Sequence, residues 1–232
     1  MAREACDLVA LSTTDHHPGV ILATTERRYR LVEFAALFGV MPALLAVPGV
    51  TLPLWAMLGS AFVLCGIMLA CDRTFDRRVL WNSHAVGPGL PGVLGLWLVA
   101  LVVLGGIVWA LAPDWFLSLP RERPGLWLLI CVAYPLFSVY PQNVVYRAFI
   151  FHRYRGVFAD ESSLIWASAA AFSWAHVVFH HPIAILLTFA GGLIFAQTYR
   201  RSRSLLLVSL EHALYGLLVF TIGLGHALYL PR

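Results

Sequence analysis

Three polar segments interrupt otherwise apolar stretches, and their residue types could move protons. The apolar run 205–220 contains Glu211 followed by His212. A carboxylate and an imidazole in such a run are costly unless paired, and ionisable groups in membrane-length apolar segments mark function by default. Upstream, Phe172-Ser173-Trp174-Ala175-His176 ends another apolar run, with His180 and His181 just beyond. Further upstream stands Tyr140-Pro141-Gln142-Asn143-Val144-Val145-Tyr146-Arg147. An imidazole exchanges a proton near neutral pH. A carboxylate accepts one, whereas the amides of Gln142 and Asn143 can orient a water but not deprotonate it.

Spacing adds constraints. If a helix starts near Pro141, where proline is well tolerated, Asn143 and Arg147 lie four apart on one face. Arg147 then either orders this segment or extends its head to the membrane interface. His176 and His180 are also four apart, a spacing that suits two metal ligands. Pro182 and the His180-His181 pair, however, point to a helix end and an interfacial position. His176 is either a site residue or a hydrogen-bonded core histidine. Neighbouring helical residues point about 100° apart, so Glu211 and His212 need not share a partner. Glu33, near the start of the first apolar run, reads as a surface partner of Arg30.

The elements that must position these residues are membrane helices. Of the 232 residues, 60% are hydrophobic and 12% charged, against about 45–50% and about 25% in soluble domains; mean hydropathy is +0.79. At about 20 residues per span, the length holds six to eight spans and no large soluble domain. Apolar runs fall at about 31–47, 50–71, 92–112, 125–140 (continuing as a less apolar helix to about 155), 162–178, 183–199 and 204–218, with a short last run over about 219–230. The expected fold is all-α: a polytopic transmembrane bundle of about 7–8 helices around an intramembrane polar cavity. Residues 1–28 read as a cytoplasmic tail without a signal-peptide pattern, and 29–232 as one transmembrane domain whose site-bearing core is about 125–230.

The net charge of +4 rests on arginine alone, since there is no lysine. Arginines gather at 27–30, 73–78, 153–155 and 200–203. With alternating spans all four groups fall on one side, which places the N-terminus in the cytoplasm. The loop with Arg121 and Arg123 is the exception, offset by Asp114 and Glu122. Arginines at helix ends do not form the clustered face that nucleic-acid binding needs. The four cysteines form no CxxC and read as packing residues rather than a disulfide framework or zinc knuckle. The absence of an internal repeat argues against an inverted-repeat transporter.

The three segments, in this order, resemble the CPBP family, the CAAX proteases and bacteriocin-processing proteins, whose best-known member is the Ras-converting enzyme. Its pattern is Glu-Glu-x-x-x-Arg, then Phe-x-x-x-His, then His-x-x-x-Asn or a variant. Here the first reads Gln142-Asn143-Val144-Val145-Tyr146-Arg147, the second runs intact from Phe172 to His176, and the third runs from His212 to Gly216. The strings PQNVVYRAFIFHRYR and SLLLVSLEHALYG are similar to a bacterial branch, which suggests a bacterial inner membrane. The resemblance implies an intramembrane endopeptidase acting on membrane-associated peptides or proteins, among lipids and without nucleic acid. In its glutamate-based form a carboxylate and a histidine activate water and a second histidine holds the oxyanion. In its metal-dependent form a divalent metal such as zinc would sit on His176 and His212, with Glu211 as a further donor. The site residues implied are Gln142, Asn143, Arg147, His176, Glu211 and His212. Asn143 stands where the family places a glutamate, so the chain is either an enzyme that lost or replaced its base, or a non-catalytic scaffold that binds hydrophobic peptides.

Overall fold

In the computed structural model, residues 23–49 and 53–227 are described. Eight helices run in chain order and there is no strand among the described residues. Helix α1 covers 24–45 and widens into a π turn at Ala36–Val40. Helix α2 is Leu54–Cys71, α3 is Val86–Leu111 and α4 is the short Ser118–Glu122. Helix α5 is Pro124–Arg153, α6 is Glu161–Trp174, continued by a 3-10 turn at Ala175–Phe179, α7 is Pro182–Ser202 and α8 is Leu205–Thr221.

Among the described residues five helical segments are long and apolar enough to cross a membrane. α8 is apolar but shorter, with 17 residues. The outside of the bundle is itself apolar: Val63, Val102, Val132, Phe137 and Leu186 are all more than half exposed. In water such a surface would aggregate; in a bilayer it meets hydrocarbon, while every helical backbone group is satisfied internally. The protein is an integral membrane α-helical bundle.

Local sequence sets the helix ends. Asp160 and Ser163 cap α6 reciprocally, His181 caps α7 with Pro182 at its first position, and Ser204 caps α8, as N-terminal chemistry favours. The arginine groups meet at one end of the bundle. Arg27 donates to the Val157 carbonyl and Arg30 to that of Arg153, while Arg200 pairs with Glu161. At the same end His152 pairs with Asp72, and Asn82 donates to the Ser202 and Arg203 carbonyls.

Four expectations need correction. Helix α5 does not start near Pro141 but runs through it. π turns at Pro135–Val139 and Val144–Phe149 loosen the backbone on either side, which accommodates a proline that would otherwise clash in a regular α-helix. Glu33 is not a surface residue, and Arg30 acts on it only electrostatically: it takes a bidentate bond from Arg153 at 2.6 and 2.7 Å and one from the Tyr154 hydroxyl at 2.6 Å, joining α1 to the end of α5. The last run forms no separate helix among the described residues, which end in a 3-10 turn at Leu224–Ala227. Cys71 is disulfide-bonded, whereas Cys65 and Cys131 are free thiols. The expected tail lies outside the described residues as far as 22, and α1 begins at Thr24.

Candidate active site

Helix α8 brings its motif residues inside by packing against α3, α5 and α7. Glu211 is 2% exposed and His212 5%. Helix α5 faces them with Asn143 and Arg147, both at 0%. The Asn143 amide donates to the Ser209 hydroxyl at 3.1 Å, one turn before His212 on α8. Gln142, half-buried, donates to Ser138 at 2.8 Å. Ser168 of α6 donates to the Tyr146 carbonyl at 2.7 Å, fixing α6 beside Arg147. Gly192 allows α7 to close on α6, since a Cβ there would lie 3.1 Å from the Ala169 Cα.

Phe172 is the hub. The Arg147 guanidinium lies over its ring, 4.5 Å from the centroid. The His176 ring meets it at 4.8 Å and the His212 ring at 5.3 Å, both edge to face. Phe195 of α7 stacks on His212 at 4.5 Å and 21°. The second and third motifs are thus joined through one aromatic ring, and Arg147 of the first motif shares it. Cation–π contact in a desolvated setting is worth about 2 kcal/mol, which compensates in part for burying an arginine whose hydrogen bond to the Gly192 carbonyl, at 3.4 Å, is long. Electrostatics also couples Arg147 to Glu211 on α8.

His176 sits in the 3-10 turn that ends α6, and its Nδ1 lies 2.7 Å from the Phe172 carbonyl. A carbonyl only accepts, so Nδ1 carries the proton and Nε2 is left as the basic nitrogen. His180 and His181 do not join it. His180 adopts a left-handed backbone (φ 53°) and is exposed, while His181 caps α7. Among the described residues no three His, Cys, Asp or Glu side chains are placed to hold a metal ion. His176 and His212 therefore lack a third protein donor, and catalytic zinc usually takes three.

Among the described residues eight buried side-chain atoms have no hydrogen-bond partner, and seven belong to this region. They are Gln142 Oε1, Asn143 Oδ1, Arg147 Nε and Nη1, Glu211 Oε2, His212 Nδ1 and Tyr215 Oη. Native interiors leave few such groups, and clusters of them mark sites that take up a water or a substrate. The arrangement offers acceptors from α5 and α8, guanidinium donors and a histidine base, which are the parts needed to place a water against a polarised carbonyl.

Gly216 ends the third motif where asparagine is common in the resemblance. A Cβ at this position would meet the Tyr134 ring, 2.6 Å from Cζ, so α5 fills the space with a phenol. Tyr134, Phe195 and Ser209 were not among the expected site residues. Ser209 alone carried a usable signal: it stands three residues before His212 on the same helix face.

Residues 124–218 match the family model of the type II CAAX prenyl endopeptidases, Rce1-like. The match runs from the first residue of α5 into α8 and contains all six motif residues, so this segment is similar to that family. The comparison with curated proteins found no match, and neither did the comparison with solved structures.

Proposed function

We propose, taking residues 124–218 as an Rce1-like endopeptidase segment, that this protein is an intramembrane endopeptidase whose hydrolytic step is slowed by Asn143. The observation that carries this reading is the cluster of orphan polar atoms drawn from the first and third motif segments, which Phe172 of the second motif joins through its ring contacts with Arg147 and His212. In the proposed reaction Gln142 and Asn143 orient the water through their side-chain oxygens. His176 Nε2 accepts its proton, and His212 donates to the oxyanion that forms on the scissile carbonyl. Arg147 is a positioning residue that holds Phe172, and with it both imidazoles. The water lacks the carboxylate that a glutamate at 143 would supply, a loss of about 10²–10⁴-fold in rate. No step is routed through a metal.

Substrates on this reading are membrane-associated peptides or proteins. The arginine-rich end of the bundle faces the cytoplasm by the positive-inside rule, which puts the N-terminus there, in a bacterial inner membrane. Asn143 itself favours a second reading, a scaffold that binds hydrophobic peptides without cutting them. Incubating the protein in liposomes with membrane-anchored peptides separates the two. Slow cleavage that disappears in His176→Ala is expected of the enzyme, whereas saturable peptide binding with no product from either form would establish the scaffold.

A further inference from the structure

The loop at 112–123 carries the one pair of arginines outside the main cluster, and it closes a groove that the candidate site does not use. The groove, of about 380 Å³, lies between α3 and α8 and is lined by Trp97, Leu101, Gly105, Leu217 and Leu218. That volume is in the range of about 300–1,000 Å³ typical of small-molecule sites. Gly105 and Gly106 keep it open, since nothing lies within 4 Å of where a Cβ would stand on either. Val102, on the same wall, is 72% exposed among other bilayer-facing side chains of α3. The polar side-chain groups of the lining are already engaged: Trp97 donates to the Leu214 carbonyl, and Thr221 accepts from Trp127. The rest of the lining is apolar, which suits a hydrocarbon chain.

Phe116 and Leu117 close one end, and Arg121 donates to both of their carbonyls. This holds its guanidinium at the mouth. Arg123 follows two residues later, and the exposed Asp114 and Glu122 share the loop. The segment that carries Phe116 and Leu117 thus holds two cations and two anions, a charge set that complements a zwitterionic headgroup, its phosphate with the arginines and its amine with the carboxylates. We propose that this groove is a binding site for one acyl chain of a zwitterionic phospholipid, with its headgroup on the 112–123 loop. The inference is independent of whether the protein hydrolyses peptides.

The test uses the full chain reconstituted in mixed phosphatidylethanolamine and phosphatidylglycerol bilayers, with retained lipid measured by mass spectrometry after extraction into detergent. Retention of phosphatidylethanolamine is expected, with its loss in Gly105→Leu, which fills the slot, and loss of headgroup preference in Arg121→Gln/Arg123→Gln. Gly106→Leu, at the exposed rim, is the control should Gly105→Leu not fold. Unchanged retention in the folded filled variant would overturn the proposal. So would preferential retention of phosphatidylglycerol, or a filled variant that instead changes subunit number, which would make the groove an interface between copies.

Discussion

Asn143 donates its amide to the Ser209 hydroxyl across the α5–α8 contact, at 3.1 Å, with its own carbonyl oxygen left unpartnered. This bond holds the first motif against the third, and an amide suffices for it. Proton abstraction needs more than an amide, and so the position can keep its structural role while losing a chemical one.

Arg147→Lys is expected to lower stability by about 2 kcal/mol, because an ammonium cannot reproduce a planar guanidinium over the Phe172 ring. Denaturant unfolding in detergent measures this. An unchanged midpoint would mean that the ring contact contributes nothing.

Glu33→Gln is expected to cost about 3 kcal/mol, since it leaves Arg153, largely buried, without its carboxylate. The second change Arg153→Met should recover part of that loss. Equal stability of the parent and Glu33→Gln would show that this ion pair is not what joins α1 to α5.

Gly216→Ala is expected to destabilise by about 1–3 kcal/mol through overpacking against Tyr134. Tyr134→Phe should not relieve this, because ring carbons clash as well as the hydroxyl, but Tyr134→Ala should. A double-mutant cycle over the two positions reads the coupling directly.

Acid should weaken the arginine-rich end. Burial alone would raise the Asp72 carboxyl, but hydrogen bonds from His152 and Thr74 outweigh it and hold the group below the usual range. A carboxyl lowered in the folded state contributes stability that is present above its unfolded value, about 3.9, and lost as pH falls through the folded value. Thermal unfolding followed from pH 6 to pH 3 should therefore show a falling midpoint. In Asp72→Asn the decline should be shallower, from a lower start at pH 6.

Much of this was legible in the sequence because the informative residues are local. Five of the spans followed from apolar run length, and the alternation of arginine groups anticipated that they meet at one end of the bundle. His176 and His212 stood out as ionisable residues in apolar surroundings, and both meet Phe172. What the sequence hid was long-range. Glu33 hydrogen-bonds Arg153, 120 residues away, while Arg30 three positions off acts on it only electrostatically. The Phe195 stack on His212 and the Tyr134–Gly216 contact join helices with no shared motif. Pro141 suggested a helix start because a single proline has that reading by default, while the flanking π turns depend on the packed helix.

The most direct measurement is the cleavage rate of membrane-anchored peptides in liposomes by the parent chain, by Asn143→Glu, and by Asn143→Glu combined with His176→Ala. Restoring a carboxylate at position 143 should raise the rate by about 10²–10⁴-fold, and removing His176 should return it to background. A rate that Asn143→Glu leaves unchanged, or one that survives His176→Ala, would contradict the assignment of position 143 as the missing base and His176 as its partner.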